Sequence, residues 1–188
     1  MPRTQSQQES FPQEKARHAR KRSDGPPHLA IRSSRIDTEG CYTTRPIRQG
    51  EFVIEYTGPR LTIKEADALY EHASRTYLFG LADGKHVIDG EGVGAFINHS
   101  CDPNCEVDEV NGRILITAIR DIPPEEEITY DYNLYDGNPT DPSLCSCGAK
   151  NCRGSMYSME ELARRAKARA RRKSGSKTAN RKKKKSPM

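Results

Sequence analysis

From residue 29 onward the chain alternates short apolar and aromatic runs with clusters of turn residues. Leu29–Arg32, Phe52–Tyr56, Tyr77–Leu81, His86–Ile88, Arg113–Ala118 and Glu127–Tyr132 are rich in Val, Ile, Tyr and Phe, side chains that pack well on pleated strands. Arg48-Gln49-Gly50, Asp83-Gly84, Asn111-Gly112 and Pro123-Pro124 bound these runs, and Asn111-Gly112 is a tight-hairpin signal. A helix is predicted over Ile63–Ala73, opened by Thr62 with Glu65 at capping-box spacing. A second box, Ser158 with Glu161, opens an Ala/Arg helix expected to run to about Lys173 and to stop at Ser174-Gly175. Past its first turn that helix has no apolar face to bury, and disorder is expected after it through Arg181–Lys185. Met1 to Pro27 lacks periodicity and is expected to be disordered. The pattern is that of a mainly β core with few helices, between basic tails.

Charge sharpens this division. Hydrophobic residues are 34% of the chain, lean for a globular domain, and charged residues 30%. The formal charge of +5 conceals a net of +3 over residues 1–27, −9 over 28–157 and +11 over 158–188. An acidic centre suits a cationic partner, whereas basic ends suit an anionic one or remain solvated. The longest apolar-or-Thr run, Ile114 to Ile119, is too short to span a bilayer, and the N-terminal stretch carries no secretory signal. A soluble, intracellular protein made in a reducing compartment is expected, without membrane contact.

Six cysteines stand at 41, 101, 105, 145, 147 and 152, the last three as Cys145-x-Cys147-x4-Cys152. Closely spaced thiols in an intracellular chain are more often metal ligands than disulfides. Zinc in a closed structural site takes four ligands, so a triad lacks one, and Cys101 or Cys105 is the natural candidate.

Residues 96–104 read Phe-Ile-Asn-His-Ser-Cys-Asp-Pro-Asn and residues 127–132 read Glu-Ile-Thr-Tyr-Asp-Tyr. With Ser34 to Tyr42 and Phe52-Val-Ile-Glu-Tyr-Thr-Gly before them they form four motifs in order, followed downstream by Cys-x-Cys-x4-Cys-Arg-Gly. The chain resembles the SET domain of protein-lysine methyltransferases followed by a post-SET zinc segment. The resemblance implies a SET domain over residues 28–135, built of short β-sheets with a threaded, pseudoknot-like C-terminal segment. It also implies a post-SET segment over 136–157, flanked by the tail at 1–27 and the basic helix and tail at 158–188.

Methyl transfer from a sulfonium to an amine is an in-line displacement that needs a neutral amine, whereas free lysine has a pKa of about 10.4. A narrow aromatic channel disfavours the ammonium and aligns the reacting atoms. Tyr56, Tyr77, Phe79, Tyr130 and Tyr132, five of only 12 aromatics, are candidates for its lining; the alternative for Tyr and Phe in strands is ordinary β-core packing. By the resemblance, Tyr132 places its hydroxyl beside the transferring methyl and Tyr56 holds the lysine amine. Tyr130 stands where the family carries Phe or Tyr, and a tyrosine there implies mono- or dimethylation. S-adenosylmethionine is the implied cofactor, met by Glu39, Gly40, Tyr42, Asn98, His99 and Met156. Cys101 is the implied fourth ligand of one structural Zn2+, with Cys145, Cys147 and Cys152, leaving Cys41 and Cys105 as free thiols.

Thr38 stands where the family usually has the first glycine of a Gly-x-Gly turn, Ala95 where an arginine is common, and Pro59 where a glutamate is frequent. The implied substrate is a basic protein, most commonly a histone or histone-like DNA-packing tail. The implied setting is nuclear and chromatin-associated in a eukaryote or a host, and cytoplasmic otherwise, with the protein acting as a monomer. The basic tail has three readings: import signal, nucleic-acid anchor or self-substrate. The reading from another class is a non-catalytic module that binds basic peptides or nucleic acid.

Overall fold

The computed structural model describes residues 25–73, 75–135 and 140–183, with side chains through Arg172. The expected N-terminal disorder, apart from residues 25–27, and the last residues of the tail lie outside this range. Ten strands form three small sheets: β1 (Leu29–Ser33), β2 (Glu39–Thr43), β3 (Phe52–Tyr56), β4 (Arg60–Thr62), β5 (Leu78–Gly80), β6 (His86–Asp89), β7 (Asn98–His99), β8 (Cys105–Val110), β9 (Arg113–Ala118) and β10 (Thr129–Tyr130). Two α-helices join them, α1 (Ile63–Tyr70) and α2 (Met159–Lys183), with a 3-10 turn at Val93–Phe96.

β1 and β2 pair alone, β4-β6-β5 form a second sheet, and the largest has the order β3-β9-β8-β10-β7. β9 shows the two-residue period of a half-buried strand, with Ile114, Ile116 and Ala118 essentially inaccessible and their neighbours less so. In β3 both Val53 and Ile54 are buried because the register with β9 slips between Phe52 and Ile54, so two successive side chains face inward. Burial of each such Ile or Val contributes about 1.5–3 kcal/mol relative to exposure. The hairpin predicted at Asn111-Gly112 joins β8 to β9, with Val110 opposite Arg113. Both turn residues have positive φ, 53° and 74°, as a primed two-residue turn requires. β10 is inserted between β8 and β7 and runs parallel to both, which threads the last strand among earlier ones as the resemblance implies.

The capping box at Thr62 and Glu65 is complete, but α1 ends at Tyr70 instead of Ala73. The second box is half formed. Ser158 Oγ caps the Glu161 amide at 3.1 Å, whereas the Ser158 amide bonds to Leu134 O and the Glu161 carboxylate turns to Arg164 and Arg165. Nor does α2 stop at Ser174-Gly175. It continues to Lys183, through Ser174-Gly175-Ser176 and Thr178. Among the described residues no helix is long and apolar enough to cross a membrane.

Candidate functional site

A cavity of about 880 Å³ opens where the three sheets and the segment after β10 meet. The five aromatics singled out in the sequence all line it. Four of their rings form a chain, Tyr56 to Phe79 at 5.7 Å, Phe79 to Tyr130 at 6.3 Å, Tyr130 to Tyr132 at 4.9 Å, and Tyr132 edge-on to His99 at 5.3 Å, while Tyr77 lies against Phe96 at 5.8 Å. The two candidate fates of these rings are therefore combined, since Tyr56 and Tyr130 belong to the hydrophobic core and Phe79 and Tyr132 pack against it. Tyr56 Oη donates to Tyr77 O at 2.6 Å and Tyr132 Oη donates to Ile97 O at 2.9 Å. Each hydroxyl thus spends its proton on a carbonyl and meets anything further as an acceptor. Burial pushes the Tyr130 and Tyr132 phenols well above their ordinary range, so both stay neutral.

β7 and β10 set the next layer. His99 Nδ1 accepts the Tyr132 amide at 3.1 Å, which places the neutral ring's proton on Nε2, 3.4 Å from Cys101 Sγ. Burial lowers the imidazole pKa to about 4, against the opposing pull of Asp131. Both ring nitrogens of His99 are therefore directed at protein partners. The Asn98 amide donates to Glu127 Oε1 at 2.7 Å and to Glu39 O at 2.8 Å. Asn98, His99, Glu39 and Met156 line the cavity; Gly40 and Tyr42 do not. Tyr42 Oη instead donates to Glu127 at 3.0 Å, and Gly40 has no room for a Cβ because the Glu127 carboxylate fills that space.

Thr38, a departure from the family pattern, has a definite partner. Arg75 donates to Thr38 Oγ1 at 2.7 Å and to Asp37 Oδ1 at 2.9 Å. This clasp joins the β1–β2 turn to the segment that carries Tyr77 and Phe79.

The four implied metal ligands converge. The Sγ atoms of Cys101, Cys145, Cys147 and Cys152 all lie within 4.8 Å of one another. Cys101 is 3.7 Å from Cys145 and 3.9 Å from Cys152. A zinc ion with bonds of about 2.3 Å to four sulphurs at tetrahedral corners requires edges of about 3.8 Å, so the donor set fits. The backbone amides of Cys101, Cys147, Arg153 and Gly154 point at these sulphurs at 3.4–3.5 Å, which favours thiolates. At Cys147 burial opposes ionisation, yet the surrounding donors bring the thiol down to about 6. Cys41 and Cys105 are buried elsewhere, and burial pushes both thiols up to about 12.

Three features of the site have no counterpart in the sequence reading. Arg153 forms a two-pronged ion pair with Asp131 at 2.6 and 2.8 Å, tying the cysteine loop to the residue between Tyr130 and Tyr132. Arg165 of α2 stacks 3.7 Å over the ring of Tyr157, and Tyr157 is fully buried. Glu127 collects Ser34, Tyr42 and Asn98 around one carboxylate. Glu127 closes a run of three glutamates before Ile128, and nothing in that run sets it apart from Glu125 and Glu126.

Residues 38–133 match the SET domain family over half of the chain. The chain belongs to the SET-domain family. It is 40% identical over 126 residues to the histone-lysine N-methyltransferase ash1 of Drosophila melanogaster, covering 61% of this chain and 6% of that protein. A histone-lysine N-methyltransferase, H3 lysine-4 specific, of Saccharomyces cerevisiae is 40% identical over 134 residues, covering 64% of this chain and 12% of that protein. The histone-lysine N-methyltransferase ATX2 of Arabidopsis thaliana is 39% identical over 152 residues, 73% of this chain and 14% of the relative. The SET chain thus spans only a small fraction of the length of these relatives. The match takes in Thr38, the β7 Asn98-His99 pair and the Tyr130–Tyr132 stretch, so most of the cavity lining lies within the shared domain, while the wall from Leu134 to Met156 lies beyond it.

Proposed function

We propose that this chain transfers methyl groups from S-adenosylmethionine to the side-chain amine of lysine in a basic protein, most plainly a histone or histone-like tail. The observation that carries this is the aromatic chain from Tyr56 to His99, which ends beside Asn98 in a cavity large enough for a cofactor and a lysine side chain. When bound, the cofactor supplies a methyl group on a positively charged sulphur. The chain's own residues do the rest. The ring-lined channel disfavours an ammonium and so holds the lysine amine neutral. Tyr56 Oη, its proton given to Tyr77 O, accepts from the amine and orients its lone pair. Tyr132 Oη, its proton given to Ile97 O, turns lone pairs toward the positive charge carried by the methyl group in flight. The hydroxyl of Tyr130 crowds the amine and favours mono- or dimethylation.

Residues 28–135 act in this reading as the SET domain and 136–157 as a post-SET segment. Cys101, Cys145, Cys147 and Cys152 hold one structural Zn2+. The ion takes no part in the chemistry; it holds Leu144, Cys145 and Met156 against the cavity. The acidic body receives a Lys/Arg-rich tail and speeds its encounter. The basic α2 and the residues after it anchor the monomeric protein to nucleic acid in chromatin.

Incubation with labelled S-adenosylmethionine and histones, beside Tyr132→Phe, tests the reading. Label on a lysine of the basic protein, lost in the variant, is the expected result. Cofactor or peptide binding without transfer to any basic protein would sink it in favour of a non-catalytic SET module. Deletion of the chain after Arg172 should leave free-peptide methylation intact and lower activity on nucleosomes, and salt should erase that difference.

A further inference from the structure

We infer that Glu127 is a positioning residue, one that turns the Asn98 amide so that only its acceptor, Oδ1, faces the cavity and selects the α-ammonium group of the cofactor. The inference rests on reading the cavity as a S-adenosylmethionine site. Asn98 Nδ2 carries two hydrogens. Its close partners, Glu127 Oε1 at 2.7 Å and Glu39 O at 2.8 Å, can only accept. Ser34 Oγ is a third, longer contact at 3.4 Å. Turning the amide over would set Oδ1 against two acceptors, so the orientation is fixed by charge and not by packing.

Among the described residues no group donates to Asn98 Oδ1, and Asn98 lines the cavity at 9% exposure. An acceptor at that place suits an ammonium group and repels a carboxylate. Glu127 does not itself line the cavity. It is held from behind by Ser34 Oγ at 2.8 and 2.9 Å and by Tyr42 Oη at 3.0 Å. The missing side chain of Gly40 makes room for it. In this arrangement Tyr42 serves the cofactor at two removes, through Glu127 and then Asn98.

The test compares S-adenosylmethionine with its desamino analogue, in which hydrogen replaces the α-amino group, by calorimetric titration of the full zinc-loaded chain. Wild type should bind the analogue roughly ten- to a hundredfold more weakly, the scale of a hydrogen bond to a charged group. Glu127→Ala frees the amide to turn, and the two compounds should then bind within about twofold of each other. Glu127→Gln keeps an acceptor toward Asn98 and should restore most of the discrimination; a purely structural role for Glu127 would lower the unfolding temperature without changing the ratio. Discrimination in Glu127→Ala equal to wild type overturns the inference. A second measurement needs no variant. Scalar coupling through the hydrogen bond from Asn98 Nδ2 to the Glu127 carboxylate carbon should be present with and without cofactor, and its absence or loss on binding overturns the inference even if Glu127→Ala does not fold. Failure of wild type to bind either compound would instead remove the methyltransferase reading, while the coupling still decides how Asn98 is turned.

Discussion

The body of the molecule and its cysteine segment are held together by different physics. From β1 to β10 the chain rests on paired strands and a continuous core that runs from Leu29 to Tyr130. The segment from 140 to 158 has only isolated bridges, Leu134 to Tyr157 and Leu144 to Ser155, and its apolar side chains are divided, with Leu144 70% exposed and Tyr157 buried. It is fastened by four sulphurs, the Arg153–Asp131 pair and the Arg165–Tyr157 stack. Both regions wall the same cavity. The body offers a wall that exists as soon as the core forms. The segment offers a wall that rests on the sulphur cluster and two charged contacts, so undoing these is expected to open the site on one side while the fold survives.

That contrast can be tested from either side. Tyr132→Phe removes a body group from the proposed reaction centre, and the turnover rate should fall by about two to three powers of ten. Its unfolding midpoint should drop by only a few degrees, since one buried carbonyl loses its donor at a cost of about 1–3 kcal/mol. Removing zinc with a chelator, or replacing Cys101 by Ser, attacks the other wall. Activity should fall about ten- to a hundredfold with release of one ion, while the far-UV β signal stays as it was. A collapse of the whole β signal would erase the distinction between the two regions.

Arg153→Ala cuts the tie without touching a ligand. Zinc content should remain at one per chain and activity should decline roughly tenfold, the range of a lost outer contact to such a site. The smallest effect belongs to Gly112→Ala in the β8–β9 hairpin, where φ is +74°. A side chain in that conformation costs about 1–2 kcal/mol, which should lower the unfolding midpoint by a few degrees and leave zinc content and methylation unchanged.

Much of the body was legible because its signals are local. Asn111-Gly112, the Thr62–Glu65 box and the alternation of β9 each work within a few residues. β8 was not, since Glu106, Asp108 and Glu109 are poor strand formers and are paired only because the hairpin folds them onto β9. β10 falls within the run Glu127–Tyr132 read as a strand, whereas β7 is two residues, too short for any period to show, yet the two bring Asn98, His99 and Tyr130 together. The site aromatics and the sulphur cluster could be named from motif resemblance. The partners that orient them could not, because the Asn98–Glu127 and Arg153–Asp131 contacts join residues 29 and 22 positions apart. The end of α2 differs from the expected stop at Ser174-Gly175, and local propensity does not explain its continuation through Ser176, Thr178 and Asn180.

The placement of Cys101 has a consequence for the order of folding. Three of the four thiols lie within eight residues of one another, but Cys101 precedes Cys145 by 44 positions. An unfolded chain would have to close that long loop against its own entropy to offer a fourth ligand, whereas the finished β7 presents Cys101 already in place. Three thiols alone would bind the proposed zinc ion less tightly than four, so its loading would be completed only after the strands have assembled. A full coordination shell of the proposed ion would then act as a checkpoint, with the cysteine segment locked down last and only on a chain whose body has already folded.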